Sequence, residues 1–477
     1  MSNSLERRGF LKGALAAAAL APLAGSLASC AGGNTTETPA PTAGNTAGGT
    51  NSPAAGGDDN PFGVQAGDYV AHIFNGGYGV SYAEFAAKVV GEKHSGVKVS
   101  VVKGQQISQE LQAKFASGDQ LPAVIDNAGA GKIALATILN EVEDLTSVVE
   151  SKNYEGTVIK DTLFPGVLED GMVDGKLPQI RYVMTVFAVW YSQSLFKENG
   201  WEFPKTWDEA LALGAKAKEK GKYLFAWGTE AANYYLEMAL TSAIKEGGPE
   251  VRMNIDNLAE NAWRAPAIQA VFGKLKEIID AGYFKPGGSG TKFTAAQAQW
   301  SQGQEALLYP SGAWIENEMK SQTKEGFEMV GAPAPTVSAS PKMPYESLHS
   351  AADESYIVPS KGNPAVGKEF MRAMLSKDAA ANFAKEIKSP TIVKDTVPAD
   401  GFGSTALASQ MEMLKNAGEN VFSWNYENYY GLGKQHLVEW NAFMDGKRSV
   451  EELTNNMQKI MDDKRNDASV EKYKVEK

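Results

Sequence analysis

Few side chains in this sequence could do covalent or metal chemistry. The four histidines, His72, His94, His349 and His436, are scattered rather than set at ligand spacing, and the one cysteine, Cys30, lies near the amino terminus. Without a cysteine cluster no transition-metal site is expected, and no intrachain disulfide can form. There is no Walker A loop, no G-x-S-x-G elbow and no H-E-x-x-H helix. A glycosidase needs two carboxylates facing one bond, and Asp126 with Glu354 could be imagined so. Among 57 acidic residues, however, such pairs arise by chance.

The chemistry this composition suits is non-covalent. A polyhydroxylated ligand offers hydroxyls to carboxylate, amide and guanidinium groups, and apolar C–H faces to aromatic rings. The chain has 9 Trp, 17 Tyr and 19 Phe. Most of these must pack in cores, so position decides which could meet a ligand.

The elements that position them begin with a strand over Tyr69 to Phe74, followed by the loop Asn75-Gly76-Gly77-Tyr78-Gly79. Ser81 and Glu84 suit a capping box for a helix bearing Tyr82, Phe85, Ala86, Val89 and Val90. Val97, Val99 and Val101 resume a period of two, a helix then carries Ile107, Leu111 and Phe115, and Leu121 to Ile125 form the next strand. Repeated βαβ units imply a largely parallel sheet, with ligands beyond its strand carboxyl ends. The Tyr78 loop and Asp126-Asn127 would lie there. Thr206 and Glu209 form a second capping box, before a helix with Trp207, Ala210 and Leu211 and the apolar run Tyr223 to Trp227. A second α/β lobe begins here.

The first thirty residues speak to compartment. Arg7-Arg8-Gly9-Phe10-Leu11-Lys12 is a twin-arginine pattern, with Glu6 where that motif usually has Ser or Thr, and an alanine- and leucine-rich stretch then closes on Leu27-Ala28-Ser29-Cys30. This is the order of a cleaved export signal ending in a lipobox-like cysteine, by the twin-arginine or the general secretory route. Residues 31–60 have almost nothing large and apolar to bury, as expected of a flexible tether. A net charge of -11 without a concentrated basic patch argues against nucleic acid as a partner. No later run reaches transmembrane length, which leaves a lipid on Cys30 as the expected membrane attachment.

Val189-Trp190-Tyr191-Ser192-Gln193-Ser194-Leu195-Phe196 with Pro204-Lys205-Thr206-Trp207-Asp208-Glu209, and Gln302-Gly303-Gln304-Glu305-Ala306-Leu307 leading to Pro310-Ser311-Gly312-Ala313-Trp314, resemble signatures of the family 1 extracellular solute-binding proteins of carbohydrate ABC transporters. Ser355-Tyr356-Ile357-Val358-Pro359 with Glu369-Phe370-Met371 resembles a second-lobe strand and helix of that family. Further blocks, including Gly76-Gly77-Tyr78-Gly79, Ile125-Asp126-Asn127-Ala128-Gly129 and Trp314-Ile315-Glu316-Asn317-Glu318, are similar to its N-acetylglucosamine- and diacetylchitobiose-binding lipoproteins.

The resemblance implies an α/β, two-lobed periplasmic-binding-protein fold of type II-like form, closing over sugar in a cleft between the lobes. Chain crossings are expected near 183–188, 285–295 and 330–335. The first lobe would hold 65–185 plus 290–332, and the second 186–289 plus 333–477, after a signal (1–30) and a tether (31–60). Trp314 matches the family's ligand-stacking tryptophan, with Tyr78, Trp227, Trp424 and Tyr234, or its neighbour Tyr235 in its place, as further aromatic contacts. Asp126, Asn127, Arg181, Glu316 and Glu354 are the polar candidates. Arg181 and Tyr182 precede the first crossing, where hinge and ligand roles are equally open. Thr185 stands where maltose-type relatives carry a ligand glutamate, so a maltose site does not transfer whole. No cofactor is implied. The partners implied are a sugar, ABC permease subunits and a separate ATPase, with this chain a monomer; another sugar on the same fold, or an exported glycoside hydrolase, is the alternative.

Overall fold

The computed structural model describes residue 57 and residues 59–118, 121–129, 131–173, 175–470, 472 and 474–475. The export signal, Cys30 and nearly all of the tether lie outside them. Among the described residues, no helix is long and apolar enough to cross a membrane.

The expected opening is present. Strands β1 (Gly67–Phe74) and β2 (Val97–Gly104) run parallel, and β3 (Val124–Asp126) joins β1 in parallel on its other side. The helix Ile107–Ser117 buries Ile107, Leu111 and Phe115 as the spacing requires. One local expectation fails. The helix Ser81–Lys93 is capped by Val80 without a side-chain bond, because it starts one residue too early for Ser81 to serve. Its buried face is Tyr82, Ala83, Ala86, Ala87 and Val90, with Phe85 and Val89 only half-buried. By contrast, the Thr206–Glu209 capping box forms with both of its bonds.

Two sheets organise the remainder. β4 (Ile180–Val186) leads directly into β5 (Ala188–Ser192), and these adjacent strands belong to different sheets. The second sheet has the order β6-β7-β5-β8, with β6 at Tyr223–Phe225, β7 at Ala306–Ser311 and β8 at Met329–Ala332. β9 (Leu348–Ile357) then returns to the first sheet, running antiparallel to β3 and β4, and β10 (Val421–Phe422) pairs with it in parallel. This strand pairing divides the chain differently from the expected lobes. Residues 355–357 end a strand of the first sheet rather than a second-lobe one, and 306–311 and 329–332 pair in the second. Packing is more mixed, since Ala296, Trp300, Tyr309, Ala313 and Ile315 join the first core with Ile73, Tyr182 and Phe383. The second core gathers Trp207, Leu236, Trp263, Phe272 and Trp440.

The chain leaves the second sheet through residues 333–347, which the helix Asn233–Gly247 holds. Buried Lys245 donates to the Ala334 carbonyl and lies 4.6 Å from the Tyr345 ring centre, while Glu246 accepts from Ser338 at 2.7 and 3.1 Å. Burial pushes the Lys245 ammonium down to about 7 from its ordinary 10.5. For a base depressed in this way the unfolded chain binds more protons between those values, so this contribution to stability rises with pH from about 7 to 10. Lys245→Met should flatten the rise in denaturation midpoint between about pH 7 and pH 9. An undiminished rise in the variant would assign it to other groups.

Candidate functional site

A pocket of only about 10 Å³ lies at the carboxyl end of β7. Phe187 and Val189 at the β4–β5 junction form one wall, Pro310 and Ser311 a second, and Ala334 a third. Tyr234, Glu237, Met238 and Thr241 complete it. Their spacing of i, i+3, i+4 and i+7 puts all four on one face of the helix Asn233–Gly247.

Trp314 stands beside this pocket and is only partly buried. A Cβ on Gly312 would overlap its six-membered ring, so the small-residue turn lets the indole fold back over the backbone. Three aromatic rings hold it. Tyr78 and Phe187 meet it edge-on at 6.5 and 5.7 Å, and Tyr234 is tilted against it at 5.8 Å. The Tyr78 loop is also tied to the helix behind Trp314, where Asn317 Nδ2 donates to the Gly77 carbonyl at 2.7 Å. Tyr78 shares a 3.1 Å hydroxyl–hydroxyl bond with Thr185. Burial, with Glu318 and Glu237 nearby, pushes the Tyr234 phenol well up, so it stays neutral and can both donate and accept. The result is an apolar wall with a carboxylate, Glu237, and a phenol at its edge.

The other expected residues divide. Asp126 is fully buried at the end of β3 and accepts from Tyr82 at 3.4 Å. Glu354 is also buried, and both carboxylates press on Tyr82 and Tyr356, raising those phenols beyond the effect of burial itself. These acids therefore share one buried tyrosine cluster. Phe383 joins it to the wall, 5.0 Å from Tyr82 and 5.7 Å from Tyr78. Glu354 has a positive φ of 56°, a conformation that costs energy for a residue with a Cβ. Arg181 is half-buried on β4 opposite Ser355.

Four candidates occupy structural positions. Tyr182 is fully buried among Tyr82, Tyr356 and Phe383. Asn127 spends its amide on its own loop, bonding Ile133 N–H and C=O at 2.8 and 2.9 Å. Trp227 lies in the second core with Gly288 pressed on its indole. Glu316 accepts from Ser404 at 2.6 Å, joining its helix to the start of the helix Thr405–Ala417. Trp424 stacks on His349 at 3.7 Å rather than on the wall. Sequence reasoning passed over Phe187, Glu237 and His349. Glu237 was detectable as the i+3 neighbour of Tyr234, and Phe187 as the aromatic inside the first expected crossing; nothing local marked His349.

The family profile described as bacterial extracellular solute-binding protein matches residues 76–381. The chain is 48% identical over 476 residues, 99% of both sequences, to the diacetylchitobiose binding protein NgcE of Streptomyces coelicolor. Among solved structures, a chitin oligosaccharide binding protein superposes with a TM-score of 0.64 at 20% identity, covering 81% of this chain and 96% of that one. The apo form of RafE from Streptococcus pneumoniae gives 0.67 at 17% identity, with 84% and 100% covered. These likenesses establish the two-lobed α/β fold.

Proposed function

On the premise that this chain belongs to the bacterial extracellular solute-binding proteins, we propose that it is the substrate-binding subunit of a carbohydrate ABC importer, taking N-acetylglucosamine or chitobiose-type sugars. The observation that carries this reading is the partly exposed Trp314 ring, framed by Tyr78, Phe187 and Tyr234 with Glu237 alongside. An aromatic face for sugar C–H bonds beside a carboxylate for hydroxyls is what a pyranose requires. The full-length likeness to a protein named for binding diacetylchitobiose supports that choice of sugar. At about 10 Å³ the pocket is far smaller than the roughly 300 to 1,000 Å³ usual for ligand sites, so entry entails separation of the lobes and capture their closure. A permease reads the closed form, and a separate ATPase supplies the energy.

A thermal-shift panel of mono- and disaccharides tests the reading, because a ligand bound by the native state alone raises the melting midpoint. N-acetylglucosamine or chitobiose should give the largest rise. A larger rise with a sugar lacking N-acetyl groups would move the assignment to another sugar on this fold.

The chain works without chemistry, since Asp126 and Glu354 lie buried among tyrosines. Incubation with chitobiose should return it intact. Release of monosaccharide beyond protein stoichiometry, abolished by Asp126→Asn or Glu354→Gln, would make the protein a hydrolase instead. The folded body acts as a monomer held at the outer face of the membrane by a lipid on Cys30. Cys30→Ala should leave exported protein in the soluble fraction, and full membrane retention of that variant would refute the anchor.

A further inference from the structure

Three places where the chain passes between the lobes lie ring upon ring. Phe187 is the single residue between β4 in the first sheet and β5 in the second. His349 is the second residue of β9, where the chain re-enters the first sheet after residues 333–347. Trp424 follows β10, and its neighbours are already bound to the second lobe: Asp256 accepts from the N–H groups of Asn425 and Tyr426, both at 2.8 Å, and Arg252 donates to the Ser423 carbonyl at 3.1 Å. Phe187 and His349 stack at 4.4 Å and 9°, His349 and Trp424 at 3.7 Å and 22°. Backbone bonds reinforce the first contact, with Phe187 N–H donating to the His349 carbonyl at 3.1 Å.

We infer that Phe187, His349 and Trp424 are positioning residues, a stacked bearing on which the lobes turn, and that Phe187 links this bearing to the ligand wall through its edge contact with Trp314. A column of flat rings permits small rotations and sliding while resisting separation, so it selects a narrow set of lobe orientations. Burial pushes the His349 imidazole down to about 3, keeping it neutral near neutral pH. Phe187 also lines the pocket, so displacing its ring changes the wall and the bearing together. The link to ligand rests on the sugar-binding reading above, whereas the bearing does not.

The test measures lobe separation directly. In the full chain carrying Cys30→Ala, cysteines replacing exposed Lys98 on β2 and exposed Lys220 after the helix Trp207–Glu219 would be the only thiols and would carry spin labels. Ligand-free His349→Leu and Phe187→Leu should each broaden or shift the distance distribution relative to the parent, while His349→Phe, which keeps three stacked rings, should retain it. Apparent chitobiose affinity should fall about tenfold in the leucine variants as the binding-competent fraction shrinks. Distributions identical to the parent in both leucine variants, with only the melting midpoint lowered, would reduce the stack to ordinary packing. A His349→Phe variant as disturbed as His349→Leu would also overturn it. Should chitobiose move neither parent nor variants, the sugar assignment fails, and the ligand-free distributions still decide the bearing.

Discussion

Trp314→Ala is expected to weaken binding of N-acetylglucosamine and chitobiose by about 1 to 3 kcal/mol, roughly five- to 150-fold, while the protein still folds. The indole is partly exposed and touches Tyr78, Phe187 and Tyr234 mainly by edges and tilted faces, so its removal strips a sugar platform more than it empties a core. Gly312→Ala should act in the same direction without deleting the ring, because the added methyl takes space that the indole occupies. Calorimetric titration beside thermal unfolding separates this role from simple packing. A packing role would appear as a stability loss of about 3 to 5 kcal/mol with sugar affinity nearly unchanged.

Glu369→Ala should have the largest effect on stability, a loss of about 3 to 5 kcal/mol by chemical denaturation, because it leaves a buried guanidinium without its carboxylate. Glu369 is fully buried on the helix Pro364–Met374. Its Oε1 meets His94 at 2.9 Å and Arg372 at 3.3 Å, and accepts from Tyr154 at 2.8 Å. Arg372 is itself anchored by its Nε to the Lys152 carbonyl at 2.6 Å and lies 4.8 Å from the Tyr154 ring centre. Glu369→Gln keeps the volume and an acceptor, so it should cost less than the alanine. Equal losses for both would assign the effect to the missing charge alone, whereas a loss of less than about 1 kcal/mol for the alanine would mean that the charge is not balancing Arg372. Sugar affinity of the folded fraction should not change.

These cases show where the sequence was readable. β1, β2, the Ile107–Ser117 helix and the Thr206 capping box follow from periodicity and local bonding, which one stretch of chain specifies by itself. The turn that folds Trp314 back over Gly312 was readable because its small residues are also local, whereas the ring's part in binding sugar belongs to the proposal. Membership of the first sheet was not, since β9 pairs with β4 across more than 160 residues and nothing in an apolar run names its partner. The same limit hid the His94–Glu369 contact and the stack on His349. Tyr182 and Trp227 resembled ligand residues because aromatic character signals burial without saying whether a core or a cleft receives the ring.

The late return of β9 to the first sheet also governs when this protein can fold. β3 and β4 are made long before residues 348–357, and the second core is equally incomplete until Trp440, Met457 and Met461 have been synthesised. A nascent chain on the ribosome therefore has neither core available, and contacts of such sequence separation form slowly even after release. That delay leaves the edges of β3 and β4 that face β9 unpaired until late in synthesis.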